Sequence, residues 1–336
     1  MTDRSADSAA FLSAIGWGEA VRTHLAGDAS NRRYERLRGP DEKDAVLMDA
    51  PPDKGEDVRP FVALATHLSG LGLSAPEIIA QDTARGFLLL EDLGDALFAR
   101  LMADDPDTQS PLYSAAIDVL LTLRAAPSPT LPAYDNQRMT DLAALAFGEY
   151  ASAAGHDASA ADEAFRIAFP AVLSDHATAP GIFVHRDFHA ENLIWLPERT
   201  GAARVGLLDF QDAMLGHPAY DLVSLLQDAR RDVPADTQTA MFDLYVRQSG
   251  DNPTTFGAAY AVLGVQRNLR ILGVFARLCR QYGKPSYVDL IPRVWAYLMQ
   301  DLAHPALAPV AGIIIDALPE PTSETLNVIR ATCPTR

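Results

Sequence analysis

The sequence predicts an α+β chain in which a small β-rich lobe is followed by a larger, mainly helical one. Three observations predict it. The first ninety residues mix short β-like runs with a single helical pattern. Beyond Gly94, apolar residues recur at helical spacing over long stretches. One strand-rich island, residues 182–210, interrupts those helices. A chain of 336 residues can bury a large core, and two lobes are the natural expectation at that length. The division is expected where the apolar run Phe87 to Leu90 meets the polar turn Glu91-Asp92-Leu93-Gly94, giving residues 1–92 and 93–336.

Each element has its own signal. Residues 31–37 alternate around Tyr34 and Leu37, and Ala45 to Met48 is an apolar run between charges, so both read as strands. Pro51-Pro52 ends the second, because proline has no ladder donor and restricts the residue before it. Phe61, Leu64, Ala65, Leu68 and Leu71 recur at the spacing of one helix face. Ile78-Ile79 and Phe87 to Leu90 are two further strands. Helices are expected over 112–123, 219–229, 241–246, 256–279 and 288–302, with strands at 182–184, 193–196 and 205–210.

Composition excludes several classes. Hydrophobic residues make up 48 % and charged residues 21 %, too apolar for a disordered chain. The 28 Lys and Arg against 44 Asp and Glu leave a net charge of −16, which argues against a nucleic-acid or anionic-membrane partner. Two cysteines make neither a disulfide framework nor a four-thiolate metal site. The N-terminus lacks the basic start and apolar core of a signal peptide. No apolar run reaches the roughly 18 residues of a membrane span. A cytoplasmic protein is expected.

The island carries the strongest signal: His185-Arg186-Asp187-Phe188-His189-Ala190-Glu191-Asn192, then Leu207-Leu208-Asp209-Phe210-Gln211. Phosphoryl transfer needs an acceptor for the proton of the substrate hydroxyl and oxygen ligands for Mg²⁺. Asp187 suits the first role. Asn192 and Asp209 suit the second, since a hard cation takes amide and carboxylate oxygens. A zinc site from His185, Asp187 and His189 is the rival, weakened because two histidines four apart suit a helix while the flanking runs look like strands. A plain polar turn is the remaining alternative, and the full spacing with the downstream Asp209 disfavours it. His185 reads as a scaffold for the loop, and Asp221 as a brace for it or a cap of the following helix.

These residues resemble the aminoglycoside-phosphotransferase-like family, small-molecule kinases with the protein-kinase-like fold. Within it they look most like bacterial kinases that phosphorylate the anomeric hydroxyl of N-acetylmuramate or N-acetylglucosamine in cell-wall recycling. The resemblance runs through Gly27-Asp28-Ala29-Ser30 with Arg32-Arg33-Tyr34, Met48 to Pro52, Gly86 to Gly94 and the His185 to Asn192 loop. It continues in Leu208 to Ala213, Gly264 to Arg267, Gly273 to Arg277 and Gly283-Lys284-Pro285. It implies ATP and Mg²⁺ as cofactors, Asp187 as catalytic base and Asn192 and Asp209 as metal ligands. It also implies that the Gly27 to Ser30 turn covers the nucleotide phosphates and that Glu91 to Leu93 offer backbone groups to the adenine.

Two positions depart from the family pattern. Met48 stands where kinases place the lysine that holds the α- and β-phosphates, leaving Arg32, Arg33 or Lys54 to supply the charge. On the acceptor side, Asp141 stands in for a glutamate and Glu149 for a tryptophan. Gln266, Arg267, Arg270 and Arg277 fall on one helical segment. Its arginine face could meet an acidic sugar, Arg267 first, or be salt-bridged. The leading expectation is an amino-sugar kinase with a small-molecule acceptor. An aminoglycoside kinase, a choline- or homoserine-type kinase and an inactive nucleotide-binding regulator are the alternatives.

Overall fold

The computed structural model describes residues 4–25, 31–39, 42–178 and 180–334. The chain packs as two compact units, Met1–Thr108 with Glu191–Asp212, and Gln109–Ala190 with Ala213–Arg336. The units therefore do not follow one linear cut near residue 92. The hairpin Leu193–Trp195/Val205–Leu207 belongs with the first because Leu207 N–H donates to Ser74 O at 2.8 Å and Trp195 N–H to Ala96 O at 2.8 Å.

In the first unit, helix α1 (Arg4–Ala14) precedes strands β1 (Val21–His24), β2 (Arg33–Arg38) and β3 (Asp44–Asp49). Helix α2 (Arg59–Gly70), strands β4 (Ile78–Asp82) and β5 (Phe87–Glu91) and helix α3 (Phe98–Asp104) follow. The strands form an antiparallel sheet in the order β1-β2-β3-β5-β4, with Tyr34 opposite Met48 and Val46 opposite Leu90. Alternation along the strands gives this sheet two different faces. Leu37, Ala45, Leu47, Phe87 and Leu89 point to α1 and pack on Phe11 and Leu12. Tyr34, Arg36, Val46, Met48 and Leu90 occupy the other face and line a cavity. Gly86 takes φ +75 in the β4–β5 turn, and a Cβ there would lie 2.0 Å from Ala50 O, so only glycine fits.

The second unit is mainly helical. Its helices are α4 (Gln109–Ala125), α5 (Asn136–Ala143), α6 (Ser159–His176), α7 (Ala219–Leu226), α8 (Ala235–Ser249), α9 (Pro253–Tyr282), α10 (Ile291–Leu302), α11 (Ala308–Ala317) and α12 (Ser323–Ala331). A π-helical turn, Ala146–Ala151, follows α5. Helix α9 is central. Asn252 caps it by accepting from Thr254 N–H and Thr255 N–H, Pro253 opens it and Gly283 closes it in the left-handed conformation. Its residue Gly264 lets α10 approach, since a Cβ would lie 2.0 Å from Asp301 Oδ2. Asp301 cannot retreat freely, because it is buried and accepts from Gln227 Nε2 at 2.9 Å and Asn268 Nδ2 at 3.3 Å. Cys279 on α9 and Cys333 after α12 are joined as a disulfide.

No single helix among the described residues is long and apolar enough to cross a membrane. A bent pair, Pro285–Leu302 with Pro305–Ala317, passes on length and composition alone but is broken by 94°.

Candidate active site

In the first unit, one face of the sheet and the hairpin enclose a cavity of about 630 Å³. Its walls include Met48, Glu91, Leu93, Asn192 and Asp209. Met48 is apolar and 1 % exposed, so it brings no positive charge to this wall. Of the cations expected to replace the missing lysine, Arg32 is paired with Glu56 at 2.9 Å. Arg33 is exposed and, by strand alternation, lies on the Leu37 face of the sheet, away from the cavity. Lys54 is exposed in a short 3-10 turn after β3. Two arginines line the wall, Arg100 and Arg36, and sequence reasoning missed Arg36. The alternation of β2 could have found it, since it lies two residues from Tyr34. Its guanidinium bonds Asp95 Oδ2 at 2.7 Å and Asp92 Oδ1 at 3.1 Å, and those carboxylates, Asp95 foremost, raise its pKa further.

The end of β5 is held by polar contacts. Glu91 N–H donates to Glu77 O at 2.8 Å, and the Glu91 carboxylate is paired with Arg199, which also donates to Ser74 Oγ at 2.7 Å. Asn192 and Asp209 come from the start and end of the hairpin, joined by Leu208 N–H donating to Asn192 O at 3.0 Å. Asp209 takes φ +59, a left-handed conformation that costs a non-glycine residue free energy. Gln211 Nε2 donates to Asp209 Oδ1 at 2.6 Å and orients it. Two oxygen-bearing side chains on one wall, one held in a strained backbone, fit a hard divalent cation. Gly27, Asp28, Ala29 and Ser30 lie outside the described residues.

Asp187 belongs to the second unit, on the loop leaving the strand Ile182–Val184. Asp221, on the first turn of α7, accepts from both His185 N–H at 2.7 Å and Arg186 N–H at 2.8 Å. It does not cap its helix, whose N-cap is Pro218; both oxygens go to the loop. Burial pushes Asp221 up to about 7, against those two backbone bonds. Arg186 takes φ +75, so the residue before Asp187 is also strained. His185 is buried edge-on to Phe188, with ring centroids 5.6 Å apart.

Arginines surround Asp187. Burial alone would raise its pKa, but Arg270 first, then His189, Arg267 and Arg186, hold it below the usual carboxylate range. Arg267 is 3 % exposed and donates to Ser224 Oγ at 2.9 Å and to Gln227 O. Arg270 donates to Tyr220 Oη at 3.2 Å. Gln266 donates to Met139 O at 2.9 Å. His189 Nε2 faces the Arg230 guanidinium at 3.1 Å, a position where a metal cation would be repelled. Among the described residues no three His, Cys, Asp or Glu side chains gather as a metal cluster. Asp141 is exposed on α5 and paired with Arg166, while Glu149 pairs with Arg280 at 3.4 Å.

The start of α7 depends on a neutral histidine. Ala219 N–H donates to His217 Nδ1 at 3.1 Å, so that nitrogen must carry a lone pair. Burial lowers His217 to about 4, with Asp251 opposing and Arg124 reinforcing the shift. A depressed histidine contributes stability that is complete above its ordinary value near 6.5 and is lost as pH falls towards 4. Urea unfolding should therefore show the wild type losing stability faster than His217→Asn, which keeps an acceptor but does not titrate. The extra slope should approach about 1.4 kcal/mol per pH unit. Parallel profiles between pH 6.5 and 4.5 would place the ring outside this role.

The five-stranded sheet of the first unit and the mainly helical second unit have the protein-kinase-like fold of small-molecule phosphotransferases. The chain belongs to the phosphotransferase enzyme family APH, whose model matches residues 22–260. It is similar to the N-acetylmuramate/N-acetylglucosamine kinase of Caulobacter vibrioides, 44 % identical across 91 % of this chain and 94 % of that one. The protein of the same name from Pseudomonas aeruginosa is 34 % identical across 91 % of this chain and 92 % of its own. Among solved structures, choline kinase LicA from Streptococcus pneumoniae shares the fold with a TM-score of 0.61 at 12 % identity, covering 88 % of this chain and 99 % of that one. A thermostable mutant of aminoglycoside phosphotransferase APH(4)-Ia, in a ternary complex with ADP and hygromycin B, has a TM-score of 0.59 at 15 % identity, covering 88 % and 98 %.

Proposed function

We propose that this chain is an ATP-dependent kinase that transfers a phosphoryl group to the anomeric hydroxyl of N-acetylmuramate or N-acetylglucosamine. The names of the relatives support the acceptor class. The observation that carries the reading within the chain itself is the set of arginines around Asp187. Arg186, Arg267 and Arg270 favour a neutral or acidic acceptor and oppose a polycation such as an aminoglycoside.

The roles follow from position. Asp187 orients the acceptor hydroxyl and takes its proton as the new O–P bond forms and the bond from Pγ to the β-phosphate oxygen breaks, releasing ADP. A carboxylate held below the usual range is a weak base, which suits a loose transition state in which little proton has yet left the hydroxyl. Asn192 and Asp209 would hold Mg²⁺, and Gln211 keeps the Asp209 carboxylate aimed. Such a metal ion supplies positive charge against the phosphates that Met48 does not offer. Asp187 and Asn192 are five positions apart along the chain, which caps the separation of their Cα atoms at about 18 Å. Glu91 N–H is spent on Glu77, so in this reading the Glu91 carbonyl and the Leu93 backbone are the hinge groups offered to the adenine. The Gly27 to Ser30 turn covers the phosphates in this reading. The first unit would bind the nucleotide, and the second would carry the catalytic base Asp187 and the acceptor site. Because ATP is the donor, the cytoplasm is the compartment of action, where the Cys279–Cys333 pair would be reduced to thiols. ADP release compared across the two sugars and kanamycin tests the acceptor class.

A further inference from the structure

We propose that Arg230 reads the carboxylate of an acidic acceptor and thereby sets the preference for N-acetylmuramate over N-acetylglucosamine. The inference rests on the amino-sugar reading above and names the residue that would divide its two substrates. These sugars differ by one group, a lactyl ether that carries a carboxylate.

Arg230 lies in the segment between α7 and α8, and it is exposed. Its Nη1 nevertheless reaches inward to His189 Nε2 at 3.1 Å. A guanidinium can only donate, so Nε2 must be the accepting nitrogen and the His189 ring is neutral, with its proton on Nδ1. The ring therefore leaves the charge of Arg230 intact. The backbone is fixed as well, because Arg230 N–H donates to Asp228 Oδ1 at 2.8 Å. One edge of the guanidinium is thus anchored two residues from Asp187, while the residue as a whole still meets solvent.

What distinguishes Arg230 from its neighbours is that, among the described residues, it combines solvent exposure with a single side-chain hydrogen bond and no anion. Arg293 is paired with Asp232, and Arg124 with Asp251. Arg231 donates to Gln109 Oε1 at 3.2 Å and lies over the Tyr113 ring. Arg267 and Arg270 are closer in charge to Asp187 but are committed to Ser224, Gln227 and Tyr220. No carboxylate of the described residues lies within ion-pair distance of the Arg230 guanidinium, although acidic residues outnumber basic ones 44 to 28. Asp228, two residues away, spends Oδ1 on the backbone rather than on that side chain. A planar fork pinned on one side by a neutral acceptor and open on the other suits bidentate binding of an incoming carboxylate.

The test compares kcat/KM for the two sugars in the wild type, Arg230→Met and Arg230→Lys. In Arg230→Met the ratio of N-acetylmuramate to N-acetylglucosamine should fall about 10- to 100-fold, the range of one charge-assisted contact. The change should appear mainly in KM for the acid, and Arg230→Lys should recover part of it. The wild type offers an arm independent of folding: the methyl ester of N-acetylmuramate should lose the preference that the free acid enjoys. A ratio unchanged in Arg230→Met, with both sugars impaired equally or not at all, overturns the inference and leaves Arg230 as a support for His189. An ester turned over as well as the acid overturns it too. A wild type that phosphorylates neither sugar removes the amino-sugar reading itself, and this inference with it.

Discussion

Replacing Asp187 by asparagine is expected to lower kcat by about 10²- to 10⁴-fold, the range a positioned general base supplies. The amide is nearly isosteric and can still accept a hydrogen bond, so it orients the hydroxyl without taking its proton. Nucleotide binding should survive, because Asp187 is not among the residues lining the cavity that holds Met48, Leu93 and Asp209. Folding should survive too, though not untouched. Arg270, Arg267 and Arg186 all stabilise the Asp187 carboxylate, and its loss leaves their charges less balanced. Steady-state turnover, ADP affinity and a thermal melt on the same preparation separate these effects. Turnover near the wild-type rate would take Asp187 out of the base role.

Asp221→Ala should combine a large loss of stability with a loss of turnover. The side chain is 2 % exposed, and both its oxygens accept backbone N–H groups of the loop at 2.7 and 2.8 Å. Alanine leaves two donors without an acceptor, and each buried orphan costs about 1–3 kcal/mol. The loop it braces also carries the strained Arg186, whose φ of +75 persists only while its surroundings hold it. Release of that strain would move Asp187 and lower kcat beyond what partial unfolding explains. Asparagine at this position should not rescue, since its NH₂ would face one of the same donors. Urea unfolding read with single-turnover rates checks both halves. A variant that is less stable but turns over normally when folded would confine Asp221 to holding the fold together.

Much of this architecture was legible in the residues. The alternation around Tyr34 and the apolar run at Ala45 to Met48 became β2 and β3, and Phe61 to Leu71 became α2 ending at Gly70. The loop His185 to Asn192 and the downstream Asp209 stood out because phosphoryl transfer needs those residue types at close spacing. Other parts were hidden for physical reasons. β1 reads VRTH, four mostly exposed residues without apolar alternation, and is held by its ladder to β2. The strand Met214–Gly216 is three residues long and takes its identity from pairing with Ile182–Val184. Arg267 read as part of an arginine face that meets a ligand or is salt-bridged, because spacing alone cannot tell that α9 is enclosed over much of its circumference. Arg36 and Arg230 were missed for the opposite reason. Each is an ordinary charged residue in sequence, and only its placement, against Asp92 and Asp95 or against His189, gives it a function. The pairing of Cys279 with Cys333, 54 residues apart, is likewise set by the docking of α12 and not by any local pattern.

The central claim is phosphoryl transfer to an amino-sugar hydroxyl with Asp187 as base. The most direct measurement is ADP release from ATP and Mg²⁺ with N-acetylmuramate, N-acetylglucosamine and kanamycin in parallel, followed by phosphorus NMR of the product. Turnover with the sugars and not with kanamycin is predicted, with the product phosphorus coupled to the anomeric proton. ADP release with kanamycin alone, or none with any acceptor while ATP binds, would contradict it.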